Sequence, residues 1–490
     1  MSSLSVTRHR SARFIADAAR VIAKPFLPGE ELLPDGSTRM DVALGRLLVM
    51  AEADVSATLA ATRADFGSRH RDFDAIVDEH FELIAGRCPV PEHISLDRRR
   101  LIGAYFTHEY SIEAAALGNP SIVPGPEQSG LPAGACRFVM SLRAIGEGHI
   151  SSIELRSGVI GDDLSIVVDP PSRFAVTGRR RTATFDRAFF LAKLAELDAL
   201  DEPAGRVLGG LGPRFTITEL EAALRPGDAH PGEAPVSASV VHILHWLASS
   251  NYRTEFDPAV ELSERVIFPT SVTESRGMED VRLVRFRHDD GSVIYYGTYT
   301  AYDGHTILPQ MIETTDFASF RVSTLGGRCA QNKGIALFPR KVGGRFLALG
   351  RHDNVNNYLL TSDDIRIWYE TEKIQEPERP WELMQLGNCG SPLETEAGWL
   401  VITHGVGPMR RYCLGALLLD LDDPSTVIGH LAEPLLAPSP AEREGYVPNV
   451  VYSCGSMLHG GHLVLPYGYA DVGAGIATVP LDDLLGRLTS

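Results

Sequence analysis

The sequence predicts a mainly β fold: a five-bladed β-propeller preceded by a helical region and interrupted by a helical insertion. Three observations carry this expectation. Apolar spacing is helical over the first hundred-odd residues, it changes to strand-like alternation from Asn119, and from there a module of two β runs joined by a tight turn recurs five times. Short antiparallel units at wide spacing suggest radial repetition more than a sandwich.

In chain order, the first segment carries Arg8, Arg10, Arg13, Arg20 and Lys24 against Asp17. It reads as a short amphipathic surface helix in preference to a transit segment, and no apolar signal core follows. Met40, Ala43, Leu44, Leu47, Leu48 and Ala51 then keep the i, i+3, i+4, i+7 spacing, and Phe73, Ile76, Val77, His80, Phe81 and Ile84 repeat it. Both stripes predict helix-packing faces. A second helical patch runs through Phe189, Phe190, Leu194 and Leu197, then Val240, Val241, Leu244 and Leu247, with Gly/Pro-rich loops at 209–213 and 226–235.

The β modules are 137–144 with 150–156, 281–286 with 293–299, 335–339 with 346–349, 399–403 with 413–419, and 450–454 with 463–467. Asp289, Asp290 and Gly291, or paired glycines such as Gly343 and Gly344, supply the turns. The resulting organisation is a helical region at 1–118, a propeller at 119–484 with an insertion at about 161–269, and a tail at 485–490.

Composition narrows the function. With 490 residues, 44% of them hydrophobic, the chain can bury a large core, and its net charge of −17 argues against a general grip on nucleic acid or a membrane surface. An anionic substrate must therefore meet locally placed cations. Six dispersed cysteines without a C-x-x-C pair read as free thiols of a reducing cytoplasm, and no run approaches the ~18 apolar residues of a membrane span. Walker, H-E-x-x-H and G-x-S-x-G motifs are absent from the sequence, and His459-Gly-Gly-His462 reads as a turn, so no metal or cofactor is expected.

The most informative segment is Glu274-Ser-Arg-Gly-Met-Glu-Asp-Val-Arg282. Glu279 and Asp280 lie between Arg276 and Arg282 at the head of an apolar strand. Either they are a solvated ion-pair cluster, or a carboxyl at the mouth of a β channel donates a proton to a glycosidic oxygen. Arg143, Lys333, Arg351 and His404 each stand beside a strand in a different module. Taken singly they are surface cations; converged, they would form a cradle for phosphate or carboxylate oxygens. Polar strand-end loops, with Tyr302 and Asp303, Arg351 to Asp353, and Tyr469 to Asp471, would face the same end of a propeller channel. Aromatic residues there suit sugar rings or pack between sheets.

Eight ordered motifs give the chain a resemblance. They are Asn119-Pro120; Ser141-Leu-Arg143 with Ser151-Ser-Ile153; Gly277-Met-Glu-Asp-Val-Arg282; Tyr296-Gly-Thr-Tyr-Thr-Ala-Tyr-Asp303; Asn332-Lys-Gly334 with Leu337-Phe-Pro339; Gly398-Trp-Leu400 with Thr403-His-Gly405; Leu418-Leu-Asp-Leu421 with Asp423-Pro424; and Glu444-Gly-Tyr-Val-Pro-Asn-Val-Val451. In this order they resemble glycoside hydrolase family 130, the β-mannoside phosphorylases and some β-mannosidases, from about 119 to 471.

The resemblance implies a five-bladed propeller and, at Asp280, a general acid that relays its proton through a sugar hydroxyl. It implies phosphate binding by Arg143, Lys333, Arg351 and His404, with Glu279, Arg282, Tyr302, Asp303 and Asp471 on the substrate. Val281 stands where the family has proline, which restores a backbone N–H and loosens φ beside Asp280. The expected reaction is inverting phosphorolysis of a manno-oligosaccharide or related glycoside to mannose 1-phosphate, with inorganic phosphate as co-substrate. Two alternatives are an inverting β-mannosidase, using a second carboxylate among Asp303, Asp353, Glu394 and Glu396, and a non-catalytic sugar-binding propeller. The helical additions are expected to pack, to make a homo-oligomer interface or to cap the propeller mouth.

Overall fold

The computed structural model describes residues 4–29, 31–181, 183–225 and 235–489, so the predicted loop at 226–235 lies, Pro235 apart, outside the described residues. The chain forms two compact units, Asp17–Ala114 with Ser172–Val176, and Met1–Ala16 with Ala115–Pro171 and Thr177–Ser490.

The smaller unit is mostly helical. Helices α1 (Arg39–Leu48), α2 (Glu52–Phe66), α3 (Phe73–Ala85) and α4 (Leu96–Tyr105) begin, except for α2, at side-chain caps from Thr38, Asp72 and Ser95, which satisfy first-turn N–H groups. Their stripes meet in a core of Leu44, Leu47, Val55, Leu59, Phe81, Ile84 and Leu101. Gly103 permits the closest approach, because a Cβ there would lie 1.9 Å from the Val77 carbonyl oxygen.

The larger unit is mainly β, as expected, and four of the five predicted strand pairs form as predicted; in the fifth, Val451 and Tyr452 pair with Tyr469 and Gly468, beyond the predicted run, while Met457–His459 takes the hairpin with 462–464. Five leading strands, β1 (Ala116–Pro124), β2 (Gly277–Arg287), β3 (Ala336–Leu337), β4 (Gln385–Asn388) and β5 (Val451–Tyr452), each open an antiparallel series. Cys136–Ile145 and Ser151–Ile160 follow β1, and three strands beginning at Val293–Tyr302 follow β2. Phe346–Gly350 pairs with β3, Gly398–Gly407 with β4 and His462–Tyr469 with β5. One parallel pair, Gly277 with Ser151, joins the first two series into a single sheet.

The first residues depart from the expected surface helix. Thr7–Ile15 is a strand paired antiparallel with Gly473–Pro480, because Ala12 and Phe14 alternate into the core while the arginines between and before them face outward. The expected tail from 485 likewise belongs to helix Leu481–Leu488, whose Leu484 and Leu488 are buried.

The insertion carries helices at Arg187–Glu196, Glu202–Gly210, Ile217–Ala223 and Ala238–Ser249, around a core that includes Phe190, Leu194, Phe215, Leu244 and Leu247. It returns through strand Tyr252–Glu255, which pairs with Ser319–Thr324 at the edge of the β2 series.

Candidate active site

The leading strands, with the residues that flank them, are tied together by hydrogen bonds. Leu283 N–H donates to Ser121 Oγ at 2.9 Å, Cys454 N–H to the Pro120 carbonyl at 2.8 Å, and Asn388 Nδ2 to the Gly334 carbonyl at 2.7 Å. Arg282 spans three of them, donating from Nη1 to Asn388 O and Oδ1 at 2.9 and 2.6 Å and from Nη2 to the Tyr452 hydroxyl at 2.8 Å.

A β-bulge aims the acidic pair. The register of β2 against Val293–Tyr302 slips between Glu279, which faces Thr300, and Arg282, which faces Thr298, so Asp280 and Val281 together oppose Tyr299. Asp280 has φ +59°, a left-handed conformation that a short polar residue tolerates. Neighbours in a regular strand point to opposite faces; here the bulge brings both carboxylates to Arg143, whose Nη2 is 2.7 Å from Glu279 Oε1 and whose Nη1 is 3.6 Å from Asp280 Oδ1. Val281 is buried, and its Cγ1 would lie 2.9 Å from a Cβ on Gly297, so glycine at 297 makes room for it.

Lys333 completes this half of the site, with Nζ 2.5 Å from Glu279 Oε2. Asn119 Nδ2 donates to Asp280 Oδ1 at 2.5 Å. Burial pushes the Asp280 carboxyl up, but Arg143, Lys333, the Asn119 hydrogen bond and Arg282 together hold it below the usual carboxylate value. Asp471, with φ +49° in the loop after His462–Tyr469, moves the other way: burial raises its carboxyl, and the nearby Asp280 charge adds to this against Arg143.

The other half is cationic. Arg351 is 8% exposed, its Nη1 lies 3.3 Å from His404 Nε2, and its Nε finds no acceptor among the described residues. Burial, then Arg351 and Arg282, push the His404 imidazole well below its usual range. His404 is therefore neutral at pH 7, and its Nε2 accepts from Arg351 while Nδ1 faces Cys389 Sγ at 3.6 Å. This places His404 behind Arg351 as its orienting partner. Arg143 and Lys333 are matched by Glu279 and Asp280, whereas Arg282 and Arg351 form no ion pair among the described residues.

Of the sequence-predicted residues, Asp280, Glu279, Arg143, Lys333 and Arg282 are in one cluster, Asp471 adds its charge to it, and Arg351 and His404 meet each other. Tyr302 and Asp303 stand apart from these contacts. The Tyr302 hydroxyl donates to the Gly304 carbonyl, and Asp303 Oδ1 accepts from the N–H groups of His305 and Thr306, which is turn chemistry. Sequence reasoning did not single out Asn388 and Tyr452 as site residues. Asn388-Cys-Gly390 carries a weak turn signal, and nothing local marks Tyr452.

Among the described residues, no group of three or more His, Cys, Asp or Glu could hold a metal, and no helix is long and apolar enough to cross a membrane. The six cysteines are free.

The fold and site define a mainly β protein with one cation-flanked acidic pair and two further arginines where the leading strands meet. The chain belongs to glycoside hydrolase family 130. The sequence model described as beta-1,4-mannooligosaccharide phosphorylase matches residues 256–489. The 1,2-beta-oligomannan phosphorylase of Thermoanaerobacter sp. is 35% identical over 233 residues, which are 46% of this chain and 75% of that protein. The Beta-1,2-mannobiose phosphorylase of Listeria innocua is 28% identical over 231 residues, 45% of this chain and 63% of that protein. The solved structure of the Listeria innocua beta-1,2-mannobiose phosphorylase with beta-1,2-mannobiose covers 77% of this chain and 93% of that one, at 18% identity and a TM-score of 0.45.

Proposed function

We propose that the protein is a β-mannoside phosphorylase that releases mannose 1-phosphate by inverting phosphorolysis, with Asp280 as general acid. The observation that carries the phosphate is Arg351: a buried guanidinium with an unbonded Nε and a neutral histidine behind it, near a second arginine, Arg282, that also lacks a carboxylate. Such an arrangement attracts a small anion. Arg143 and Lys333 extend the cradle, and Glu279, Arg282 and Asp471 line the sugar side.

In the reaction, a phosphate oxygen attacks the anomeric carbon from the face opposite the leaving group. The glycosidic C–O bond breaks, and the leaving oxygen receives the Asp280 proton through a sugar hydroxyl. The cations that hold Asp280 low disfavour its protonated form; a bound phosphate offsets them and restores the acid. Phosphate is thus co-substrate and activator of the acid, and no second carboxylate is needed. Three of the four carboxylates suggested for activating water are engaged elsewhere: Asp303 and Asp353 accept backbone N–H groups of their own turns, and Glu394 pairs with Arg340.

The same reading makes the β unit a five-bladed propeller. Five leading strands bonded to one another support a central channel, and the pairing of Thr7–Ile15 with the last strand supports ring closure. Six free thiols fit a cytoplasmic enzyme.

The test is incubation with β-1,2- and β-1,4-linked manno-oligosaccharides, with and without phosphate. Phosphate-dependent mannose 1-phosphate is expected, and the 1,2-linked series comes first because the relatives above are named for it. Mannose release at equal rate without phosphate overturns the proposal.

A further inference from the structure

The segment entering β2 is held by a buried carboxylate that the reaction does not use. Glu274 is 0% exposed, yet it has no cationic partner among the described residues. Neutral donors satisfy it instead. Oε1 accepts from the Tyr252 hydroxyl at 3.0 Å and the Tyr299 hydroxyl at 2.6 Å, and Oε2 accepts from the N–H groups of Thr270 and Ser271 at 3.1 Å each. Burying a carboxylate without a counter-charge is costly unless its lone pairs are filled, and here donors from three segments fill them.

The two tyrosines come from opposite sides of the acidic motif. Tyr299 is the residue that faces Asp280 and Val281 across the bulge. Tyr252 belongs to the strand by which the helical insertion returns to the sheet. Ser250, at the end of the insertion's last helix, adds a hydroxyl contact to Thr273 at 3.1 Å. Three residues beyond Glu274, Gly277 has φ +131°, and a Cβ there would lie 2.3 Å from Ser151 Oγ. The chain is therefore fixed at Glu274, wedged at Gly277 and bulged at Asp280.

We propose that Glu274, Tyr252 and Tyr299 form a positioning site that holds the bulge and so aims Asp280, and that the insertion contributes one of its three members. The inference rests on the reading of Asp280 as proton donor. Burial and the adjacent Glu274 charge keep both phenols far above their usual range, so both remain O–H donors. The insertion, which lies outside the motifs of the family resemblance, then serves the reaction without touching substrate.

Tyr252→Phe and Tyr299→Phe each remove one donor at nearly constant volume. Hydrogen exchange by mass spectrometry over 277–283, together with steady-state phosphorolysis, tests the proposal. Each variant is expected to exchange at least about tenfold faster in that segment and to lose about tenfold in kcat, with KM for phosphate and mannoside within about twofold, as loss of aim without loss of binding requires. Unchanged exchange in both variants overturns the brace. Faster exchange with unchanged kcat makes it structural only and overturns its positioning role. If the wild type yields no mannose 1-phosphate, the phosphorylase reading fails on its own, and the exchange measurement still decides whether the brace holds the bulge.

Discussion

Asn119 and Asp280 meet across two facing β-bulges. Asn119 sits where the register of β1 slips between Gly118 and Ser121, Asp280 where β2 slips between Glu279 and Arg282, and both have positive φ, +47° and +59°. The 2.5 Å hydrogen bond between them ties the two irregularities into one aimed carboxylate.

Asn119→Ala removes that tie. Because the Asn119 bond is one of the influences that lower the Asp280 carboxyl, its loss raises that pKa. An acid catalyst loses activity as pH rises through its pKa, so the alkaline limb of kcat moves to higher pH while its maximum falls about tenfold. A pH–rate profile of the variant against the wild type measures both changes.

Anion binding draws a proton into the site. Sulfate, which stays dianionic in mildly acidic solution, offsets the cations that hold Asp280 low, so its carboxyl rises and takes up part of a proton there. Calorimetric titration in buffers of different ionisation enthalpy reads this uptake, and Asp280→Asn diminishes it, leaving the share of Asp471.

Arg351→Ala strikes the anion cradle. Loss of one charge-assisted contact, about 1.5–3 kcal/mol, raises KM for phosphate about 10–100-fold and leaves KM for the mannoside within about twofold. Initial rates at varied phosphate decide this, and a hydrolase would be indifferent to the substitution.

His404 makes the fold acid-sensitive. Its folded pKa is depressed by burial, Arg351 and Arg282, so below the unfolded value of about 6.5 the unfolded chain binds a proton that the native site refuses. Stability at His404 is therefore full at neutral pH and is lost as pH falls. His404→Gln keeps an acceptor for Arg351 without this liability, and its Tm deficit relative to the wild type shrinks between pH 7 and pH 5.

Much of this was legible in sequence where the signal is local. Helical stripes such as Phe73 to Ile84 and hairpins such as 281–299 announce themselves because side-chain period and turn chemistry are short-range. The first strand was not legible: Arg8, Arg10 and Arg13 mask the Ala12–Phe14 alternation, and its partner lies more than 450 residues away. Tyr452 gave no sign because its hydrogen bond comes from Arg282, 170 residues distant.

By itself the sequence determined the mainly β class, four of the five hairpins, the family and the Glu279–Asp280 motif, all of which are written in contiguous residues. Only the tertiary structure decided which charges are compensated. Burial and distance set that balance: Glu279 bridges Arg143 and Lys333, His404 is neutral behind Arg351, Asp303 is engaged in its own turn, and Glu274 is held by tyrosines from the insertion and from the sheet. Electrostatic free energy depends on separation in space and on solvent exclusion, and neither is a property of neighbours along the chain.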